Sequence, residues 1–349
     1  MPGTIREMLE ELEERTLHPR AARSAASRGR EAPEPEDEMR PVFQRDRDRL
    51  LHCKSFRRLK GKTQVFLAPK GDHYRTRLTH TLEVSQVARS IARALRLNEM
   101  LVEAMVMGHD LGHTPFGHAG ERVLNELVPG GFHHSSQSLR VVEVLERDGR
   151  GLNLTAEVRD GILRHSKGRG QVLMKGTGAK ALTLEAEIVR LADVIAYVNH
   201  DLDDAVRAGL LSEEEVPADI RRVVGDRTSS RLAALIGDVV RASDLDGGGH
   251  IEMSPEVHGA LLALRDFLYR RVYENPVVHD EFVKAQRILR DVFTWCREDP
   301  ERCAIRFGVA PRDGEPPERA ITDFVSGMTD RFALETWDGL FRPRPWAIV

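Results

Sequence analysis

The sequence predicts an all-α protein, and three observations lead to that prediction. Aromatic residues are only 5% of the 349 residues, whereas helix-favouring Leu, Ala, Glu and Arg are abundant. Apolar residues recur at helical spacing along most of the chain. The best strand-like run of the first half is short, Val65 to Leu67, and predicts only a hairpin or loop over 64–71.

Three regions follow from the pattern of helices and breaks. Residues 1–43 are expected to form a short charged helix, to about residue 17, and then an extended arm or a disordered linker between Pro19 and Pro41. Residues 44–210 are the expected core. Residues 211–349 are expected to be a helical extension that packs on this core or on another subunit.

The expected core begins with a helix over 44–59 and ends with the longest helix, Leu184 to about Ala208. Asn98 is the expected N-cap of a helix that is apolar on nearly every side and should be buried. The Gly/Lys-rich stretch 166–181 lacks the spacing of a phosphate-binding loop and predicts a mobile surface loop. The other expected helices cover residues 78–97, 100–107, 117–127, 135–147, 155–165, 231–242, 255–273, 281–295 and 317–332.

Composition excludes several classes of protein. No apolar run approaches the ~18 residues of a membrane span, and no apolar signal core is present, so we expect a soluble cytoplasmic protein without membrane contact. The three cysteines lack metal-type spacing and are expected to be reduced thiols. A formal net charge of −3 gives no overall attraction to nucleic acid. The basic residues over 54–62 are expected mostly on a solvated helix face, with a few near a polyanionic substrate.

Candidate metal ligands follow the apolar helix 100–107. His109 and Asp110 come directly after it, and burying them without partners would cost roughly several kcal/mol. A cation is the simplest partner for an imidazole beside a carboxylate. The alternative is a hydrogen-bonded His/Asp pair that closes the helix.

Two more residues fit the same site. His80 lies in the first turn of the helix 78–97, and Asp193 lies on the longest helix. Asp193, Tyr197 and Asp201 are spaced i, i+4 and i+8, so they share one stripe that flanking apolar residues should bury. Hydrogen bonding within the core is the alternative for this stripe. Two imidazoles and two carboxylates suit Mn2+, Mg2+, Co2+, Ni2+ or Fe2+ and leave positions free for water and phosphate.

The sequence around these residues resembles a known family. The segments that carry the resemblance cover residues 56–66, 73–84, 107–118, 195–197 and 200–201. They are similar to the HD superfamily of metal-dependent phosphohydrolases. Within it they look like the dGTPase-like deoxynucleoside triphosphate triphosphohydrolases, which include the bacterial dGTPases and the mammalian SAM-and-HD-domain dNTPase. The resemblance runs from about residue 45 to 210 and resumes over 321–333.

The resemblance implies an HD-domain phosphohydrolase fold and hydrolysis of a dNTP, dGTP or several dNTPs, to deoxynucleoside and inorganic triphosphate. Attack at the α-phosphorus needs a nucleophilic water, and a divalent cation lowers the pKa of that water. The leaving 5′-oxygen needs a proton, and a histidine with a pKa near neutrality suits that task.

The resemblance also implies the catalytic residues. His118 and His134 are the expected histidines near the α-phosphate and the leaving oxygen, and Glu121 is expected to orient His118. In the family pattern Glu and Asn stand where this chain has His133 and Ser135, and this departure puts the tuning of His134 in doubt.

Substrate contacts are implied in the same way. Gln64, Tyr197 and Asp201 are expected at the deoxyribose, where Tyr197 would disfavour a 2′-hydroxyl, and Arg77 is expected at a phosphate. His113 is expected near the substrate as well, and its alternative is a buried structural histidine. A basic residue often follows the helix aspartate in the family, but Val194 stands there in this chain.

Two other functions stay open at this point. The chain could be another HD phosphohydrolase, acting on a nucleoside monophosphate, a cyclic nucleotide or (p)ppGpp, or a nucleotide-sensing or single-stranded nucleic-acid-binding module with a vestigial site. Family members are commonly dimer-built tetramers or hexamers with allosteric dNTP sites. The resemblance therefore implies a homo-oligomer and an allosteric dNTP.

Overall fold

The computed structural model describes residues 3–64, 74–166 and 181–343. Within these ranges helices predominate and no strand forms, although two isolated β-bridges join Arg30 to Thr155 and Thr63 to Thr76. The all-α prediction is confirmed. Residues 65–71 of the hairpin or loop expected over 64–71, and residues 167–180 of the surface loop expected over 166–181, lie outside the described residues.

The α-helices of the described ranges follow one another along the chain. They are α1 (Ile5–Thr16), α2 (Val42–Leu51), α3 (Lys54–Arg58), α4 (Arg77–Ala94), α5 (Glu99–His109), α6 (Gly117–Leu127), α7 (His134–Arg140), α8 (Glu146–Gly149), α9 (Ala156–Arg164), α10 (Leu184–Arg207), α11 (Ala218–Val224), α12 (Thr228–Ala242), α13 (Pro255–Leu268), α14 (Pro276–Glu298), α15 (Pro300–Phe307), α16 (Pro317–Gly327) and α17 (Asp330–Phe341).

Helix α5 lies at the centre of the larger of two hydrophobic cores. It packs against α2, α4, α9 and α10, which explains why its sequence is apolar on nearly every side. The Asn98 side chain accepts a hydrogen bond of 3.1 Å from the Leu101 amide, as expected of an N-cap. Because the helix is buried along its length, its last residue, His109, lies inside the protein.

The second hydrophobic core forms around α14, which packs against α6, α16 and α17. Ala119, Val123 and Leu124 of α6 belong to this core, whereas α4 and α5 belong to the first. The turn between α5 and α6 therefore lies where the two cores meet. The expected division of the chain at residue 210 stays a prediction.

Some expected helices are broken in the structure. The helix expected over 135–147 ends at Arg140 and continues as a π turn, after which Arg147 and Asp148 adopt left-handed backbone with φ of 53° and 56°. The helix expected over 317–332 is two helices, α16 and α17. Thr329 separates them, because its side chain accepts the Phe332 amide and so starts a new helix.

The helix expected over 44–59 is also divided, at His52 and Cys53. Residues 19–41, expected as an extended arm or a disordered linker, contain one 3₁₀ turn, Ser24–Ala26, and otherwise no helix or strand. Arg30 of this segment forms an ion pair with the buried carboxylate of Asp46, which also accepts a hydrogen bond from Thr155.

In the described ranges, no helix combines the length and the apolar character required to span a bilayer. All three cysteines are free and buried.

Candidate active site

Four expected metal ligands come together at the ends and middles of three helices. His80 lies in α4, His109 ends α5, Asp110 caps that end, and Asp193 lies in α10. The His80 Nε2 atom is 3.2 Å from Asp193 Oδ1 and 3.8 Å from Asp110 Oδ2. His109 Nε2 is 3.6 Å from the same Asp110 oxygen. Ligand atoms of His80, His109 and Asp110 all lie within 4.8 Å of one another, as a shared cation requires.

The hydrogen bonds of the His109 imidazole leave its Nε2 atom directed at this cluster. The Nδ1 atom of His109 donates to the Val106 carbonyl at 2.6 Å, and a carbonyl can only accept. The proton of neutral His109 is therefore on Nδ1, and its Nε2 carries a lone pair. That Nε2 atom is buried and has no hydrogen-bond partner among the described residues, although it faces a carboxylate. A divalent cation would satisfy both groups, so the residues present fit a metal.

Both carboxylates of the cluster are ionised. Burial by itself would raise the pKa of Asp110, but the electrostatic interactions of its carboxylate with the neighbouring His109 imidazole and the Arg77 guanidinium outweigh burial and hold that pKa well below its ordinary value. Burial likewise opposes ionisation of Asp193, yet the hydrogen bond and charge of His80 lower its pKa. Arg77, expected at a phosphate, donates a hydrogen bond of 2.5 Å to Asp110, and its buried Nε has no partner in the described part of the chain.

A second group of histidines lies next to the metal cluster, on α6 and α7. Glu121 accepts hydrogen bonds from the backbone amide of His134 at 2.9 Å and from its Nδ1 at 2.8 Å. The other Glu121 oxygen is 3.7 Å from Nδ1 of His118, whose side chain is 60% exposed. The carboxylate thus hydrogen-bonds His134 and lies beside His118, which the family resemblance implied that it orients.

The pKa values of His113 and His134 are shifted in opposite directions. Burial opposes the charged form of His134, but the Glu121 carboxylate outweighs burial and raises its pKa. His113 stacks on His134 with ring centroids 4.9 Å apart. The pKa of His113 is well below its ordinary value because burial and Arg77 disfavour its charge. A neutral imidazole therefore lies against an imidazole that favours the charged form.

His165 belongs to the site and was not among the residues expected from the sequence. Its Nε2 atom is 3.1 Å from His134 Nε2, and its ring meets the edge of His109 at a centroid distance of 5.0 Å. Its Nδ1 donates to the Ile162 carbonyl at 2.7 Å, and burial lowers its pKa to about 4. The one signal in the sequence was a histidine at the end of an amphipathic helix, which is too common to identify a site.

The expected sugar-binding residues lie on the other side of His80. The Nδ1 atom of His80 is 2.8 Å from His200 Nε2, and His200 Nδ1 is 2.8 Å from Asp201 Oδ1. Burial raises the pKa of Asp201 to about 7. A chain of contacts therefore connects the expected metal ligand to an expected sugar ligand.

Tyr273 also reaches this region and was not expected there. Its hydroxyl donates to Asp201 Oδ2, and its ring lies parallel to that of Tyr197, with centroids 6.5 Å apart. Gln64 is the last described residue before position 65, and its buried Oε1 atom has no hydrogen-bond partner within the described ranges. An unpaired amide oxygen of this kind is available to a ligand hydroxyl.

Comparisons with known proteins agree with this architecture. Residues 77–198 match the family model described as HD domain, and residues 251–338 match the model described as phosphohydrolase-associated domain. A "deoxyguanosinetriphosphate triphosphohydrolase-like protein" of Desulfatibacillum aliphaticivorans is 51% identical, over 98% of this chain and 99% of that protein.

Further relatives have the same name. One from Caldanaerobacter subterraneus subsp. tengcongensis is 50% identical over 98% of this chain and 97% of its own length. Among solved structures, a hypothetical protein from Aquifex aeolicus superposes with a TM-score of 0.46 and 19% sequence identity. The superposition covers 85% of this chain and 71% of that one. With such identity to the curated relatives over nearly the full length, this chain belongs to the deoxyguanosinetriphosphate triphosphohydrolase-like family, within the HD-domain phosphohydrolases.

Proposed function

We propose that this protein is a metal-dependent hydrolase that converts deoxynucleoside triphosphates, dGTP or several of them, to deoxynucleoside and inorganic triphosphate. The observation that carries the proposal is the pair of adjoining clusters: four metal-ligand candidates on one side, and the Glu121–His134 pair on the other. Ligand atoms of Asp110 and His134 lie within 4.8 Å, so a phosphate bound at one cluster reaches the other. The names of the relatives support a dNTP as that phosphate ester.

The residues of the metal cluster are proposed to hold one divalent cation. His80, His109, Asp110 and Asp193 would bind Mn2+, Mg2+, Co2+, Ni2+ or Fe2+, which supplies a water of lowered pKa and neutralises phosphate charge. Arg77 holds Asp110 in place and adds a positive charge beside the phosphates. Its Nε, without a partner among the described residues, can donate to a phosphate oxygen.

His134 is proposed as the proton donor to the leaving group. A water oxygen attacks the α-phosphorus and releases one proton to solvent, the bond from that phosphorus to the 5′-oxygen breaks, and its electron pair stays on the 5′-oxygen. Protonated His134, held by Glu121, gives that oxygen a proton, and the products are a deoxynucleoside and triphosphate. His118 is the exposed second histidine near the α-phosphate, and His113 buttresses His134 by stacking.

Gln64, Tyr197 and Asp201 are proposed to bind the deoxyribose. The buried Gln64 Oε1 accepts a hydrogen bond from the 3′-hydroxyl, and Asp201 lies one helical turn beyond Tyr197. The Tyr197 ring, backed by Tyr273, leaves little space at the 2′ carbon and so favours deoxy substrates.

From the family resemblance we also propose a cytoplasmic homo-oligomer, a tetramer or hexamer built from dimers, with an allosteric dNTP. Contact with single-stranded nucleic acid is a further proposal of the same origin.

Product analysis tests the proposal. The protein is loaded with Mn2+, then Mg2+, Co2+ or Ni2+, incubated with each dNTP singly and in mixtures, and its products are separated by ion-exchange chromatography. We expect deoxynucleoside and tripolyphosphate in equal amounts. Release of pyrophosphate or orthophosphate, or no turnover in any mixture, would instead indicate another HD phosphohydrolase or a nucleotide-binding module.

A matched pair of variants on α10 connects that reaction to the metal cluster. Asp193→Asn should lose its bound metal, which mass spectrometry of the eluted ion measures, and it should also lose turnover. Its circular dichroism spectrum should stay unchanged, because the Asp193 side chain is already 26% exposed. Glu187→Gln on the same helix alters contacts with His250 and the Ile251 amide and should keep both bound metal and turnover. Loss of helicity in Asp193→Asn would show that the residue supports the fold and not a metal.

A further inference from the structure

Asp330 connects the C-terminal part of the chain to two segments of the candidate active site. It is the first residue of α17 and only 7% exposed. Its Oδ1 atom accepts the Phe116 amide at 2.9 Å. Its Oδ2 atom accepts the Thr63 amide at 2.9 Å and also the Thr63 hydroxyl. One carboxylate thus receives three donors from two segments that are far apart in sequence.

Each of these segments carries a residue of the proposed site. Thr63 precedes Gln64, whose buried Oε1 has no partner in the ranges that the structure describes. Phe116 precedes Gly117 and His118, and it is the N-cap of α6, on which Glu121 lies. The carbonyl oxygens of Thr63 and Gln64 lie beside Gly117, within 4 Å of where a Cβ would be. The two segments therefore contact each other next to the proposed substrate site.

The backbone at Phe116 needs such support. Phe116 has φ 61° and ψ 24°, a left-handed conformation that is unfavourable for a bulky side chain, and it is buried. The amide that Asp330 binds is the amide of this same residue. Without that acceptor, a buried N–H would lose its partner and the strained turn would lose the bond that holds it.

A second contact fixes the same junction. Lys62, one of the basic residues over 54–62, is 2% exposed, and its Nζ atom donates to the Ser326 carbonyl at 2.8 Å and to the His113 carbonyl. The backbone next to Thr63, the turn that carries His113 and Phe116, and the ends of α16 and α17 therefore form one hydrogen-bonded unit.

From these contacts we propose that Asp330 is a positioning residue of the reaction, through which the C-terminal region holds Gln64 and the turn before His118 in their working places. This inference rests on the proposed dNTP hydrolysis. The hydrogen bonds of Asp330 go to the backbone and hydroxyl of the two segments, so its effect is on the geometry of the site residues that they carry.

The test compares Asp330→Asn with Asp338→Asn, which lies on the same helix, is 52% exposed and pairs with Arg342. An asparagine offers one acceptor oxygen and one donor amide, so at least one of the two backbone amides loses its acceptor. With metal-loaded protein and dGTP, kcat and KM are measured separately, at a temperature well below the midpoint of unfolding of each variant. We expect Asp330→Asn to lose at least about tenfold in kcat/KM while its metal content and helicity stay unchanged, and Asp338→Asn to stay within about twofold.

Thr63 provides the second variant, in case Asp330→Asn does not fold. Thr63→Val removes the hydroxyl at nearly constant shape and should lose kcat/KM severalfold, whereas Thr63→Ser keeps the hydroxyl and should lose less. In the double variant with Asp330→Asn, the Thr63→Val loss should disappear, because the hydroxyl acts through the carboxylate.

Three results would overturn the inference. They are an Asp330→Asn enzyme within twofold of the unmodified one, a Thr63→Val enzyme as active as Thr63→Ser, and fully additive losses in the double variant. If the unmodified protein turns over no dNTP, the proposed function fails and this inference with it. An active unmodified protein whose variants are equally active removes this inference alone.

Discussion

Glu121 is the charged neighbour that sets the pKa of His134. Burial favours the neutral imidazole, but the carboxylate, 2.8 Å from Nδ1, reverses that preference and raises the pKa. A general acid must hold its proton before it acts, so activity is expected to fall as pH rises through the pKa of His134. The pH at which activity falls on the alkaline side of the profile therefore depends on the Glu121–His134 pair.

Glu121→Gln is expected to move the alkaline side of the kcat profile to lower pH by about one to three units, because an opposite charge in contact shifts a pKa by that amount. The measurement is kcat against pH from 6 to 10 with one dNTP. The control is Glu126→Gln on the same helix, an exposed residue that pairs with Arg290. An alkaline side that stays in place in Glu121→Gln would assign the proton to another group.

The turn between α5 and α6 is fixed by its contact with α7. The Ser138 hydroxyl donates to the His109 carbonyl at 2.6 Å and accepts the Gly112 amide at 2.9 Å. A Cβ on Gly112 would lie 2.2 Å from the Ser138 backbone nitrogen. Helix α7 can approach this closely only because residue 112 is glycine, and α7 begins at His134. The two elements therefore set the distance between the metal cluster and the proposed proton donor.

Gly112→Ala should push α7 away, lowering the free energy of unfolding by about 1–3 kcal/mol, as overpacking does, and reducing kcat/KM about tenfold or more. Gly259→Ala is the matched control. It lies within α13 with no described atom within 4 Å of the new Cβ, so it should be neutral or stabilising by up to about 1 kcal/mol. Urea unfolding and steady-state kinetics measure both effects. Equal stability and activity of the two variants would contradict this account.

The active-site candidate lies between two hydrophobic cores, and Lys62 bridges them. Burial, together with the charge of Arg77, lowers the pKa of Lys62 to about 7, although the charge of Asp330 acts in the opposite direction. In the unfolded chain the same amine has a pKa of about 10.4. Between these two values the unfolded state binds more protons, so the contribution of Lys62 to stability rises with pH.

Lys62→Met should cost about 1–3 kcal/mol for each carbonyl that loses its donor. The difference in stability between the unmodified protein and this variant should grow as pH rises above about 7, by at most about 1.4 kcal/mol per pH unit. Urea unfolding at pH 7.5 and 9.0 measures it. A difference that is the same at both pH values would show that Lys62 keeps its ordinary pKa.

Local pattern was enough to predict much of the secondary structure. The all-α class, the buried helix ending at His109 and the cap at Asn98 follow from apolar spacing and capping chemistry, which act over a few residues. Helix breaks were predicted less well. The helix expected over 317–332 runs through Met328 and Thr329, where capping by the Thr329 side chain starts a second helix.

The sequence by itself determined the fold class and which residues were candidates for the metal cluster, because buried imidazoles and carboxylates stand out against an apolar background. Only the tertiary structure decided which groups meet. Glu121 binds His134 across 13 positions, and Asp330 binds Thr63 across 267. His165 and Tyr273 enter the site from segments with no distinguishing pattern. A hydrogen bond depends on distance in space, and periodicity within one helix carries no information about the helix that packs against it.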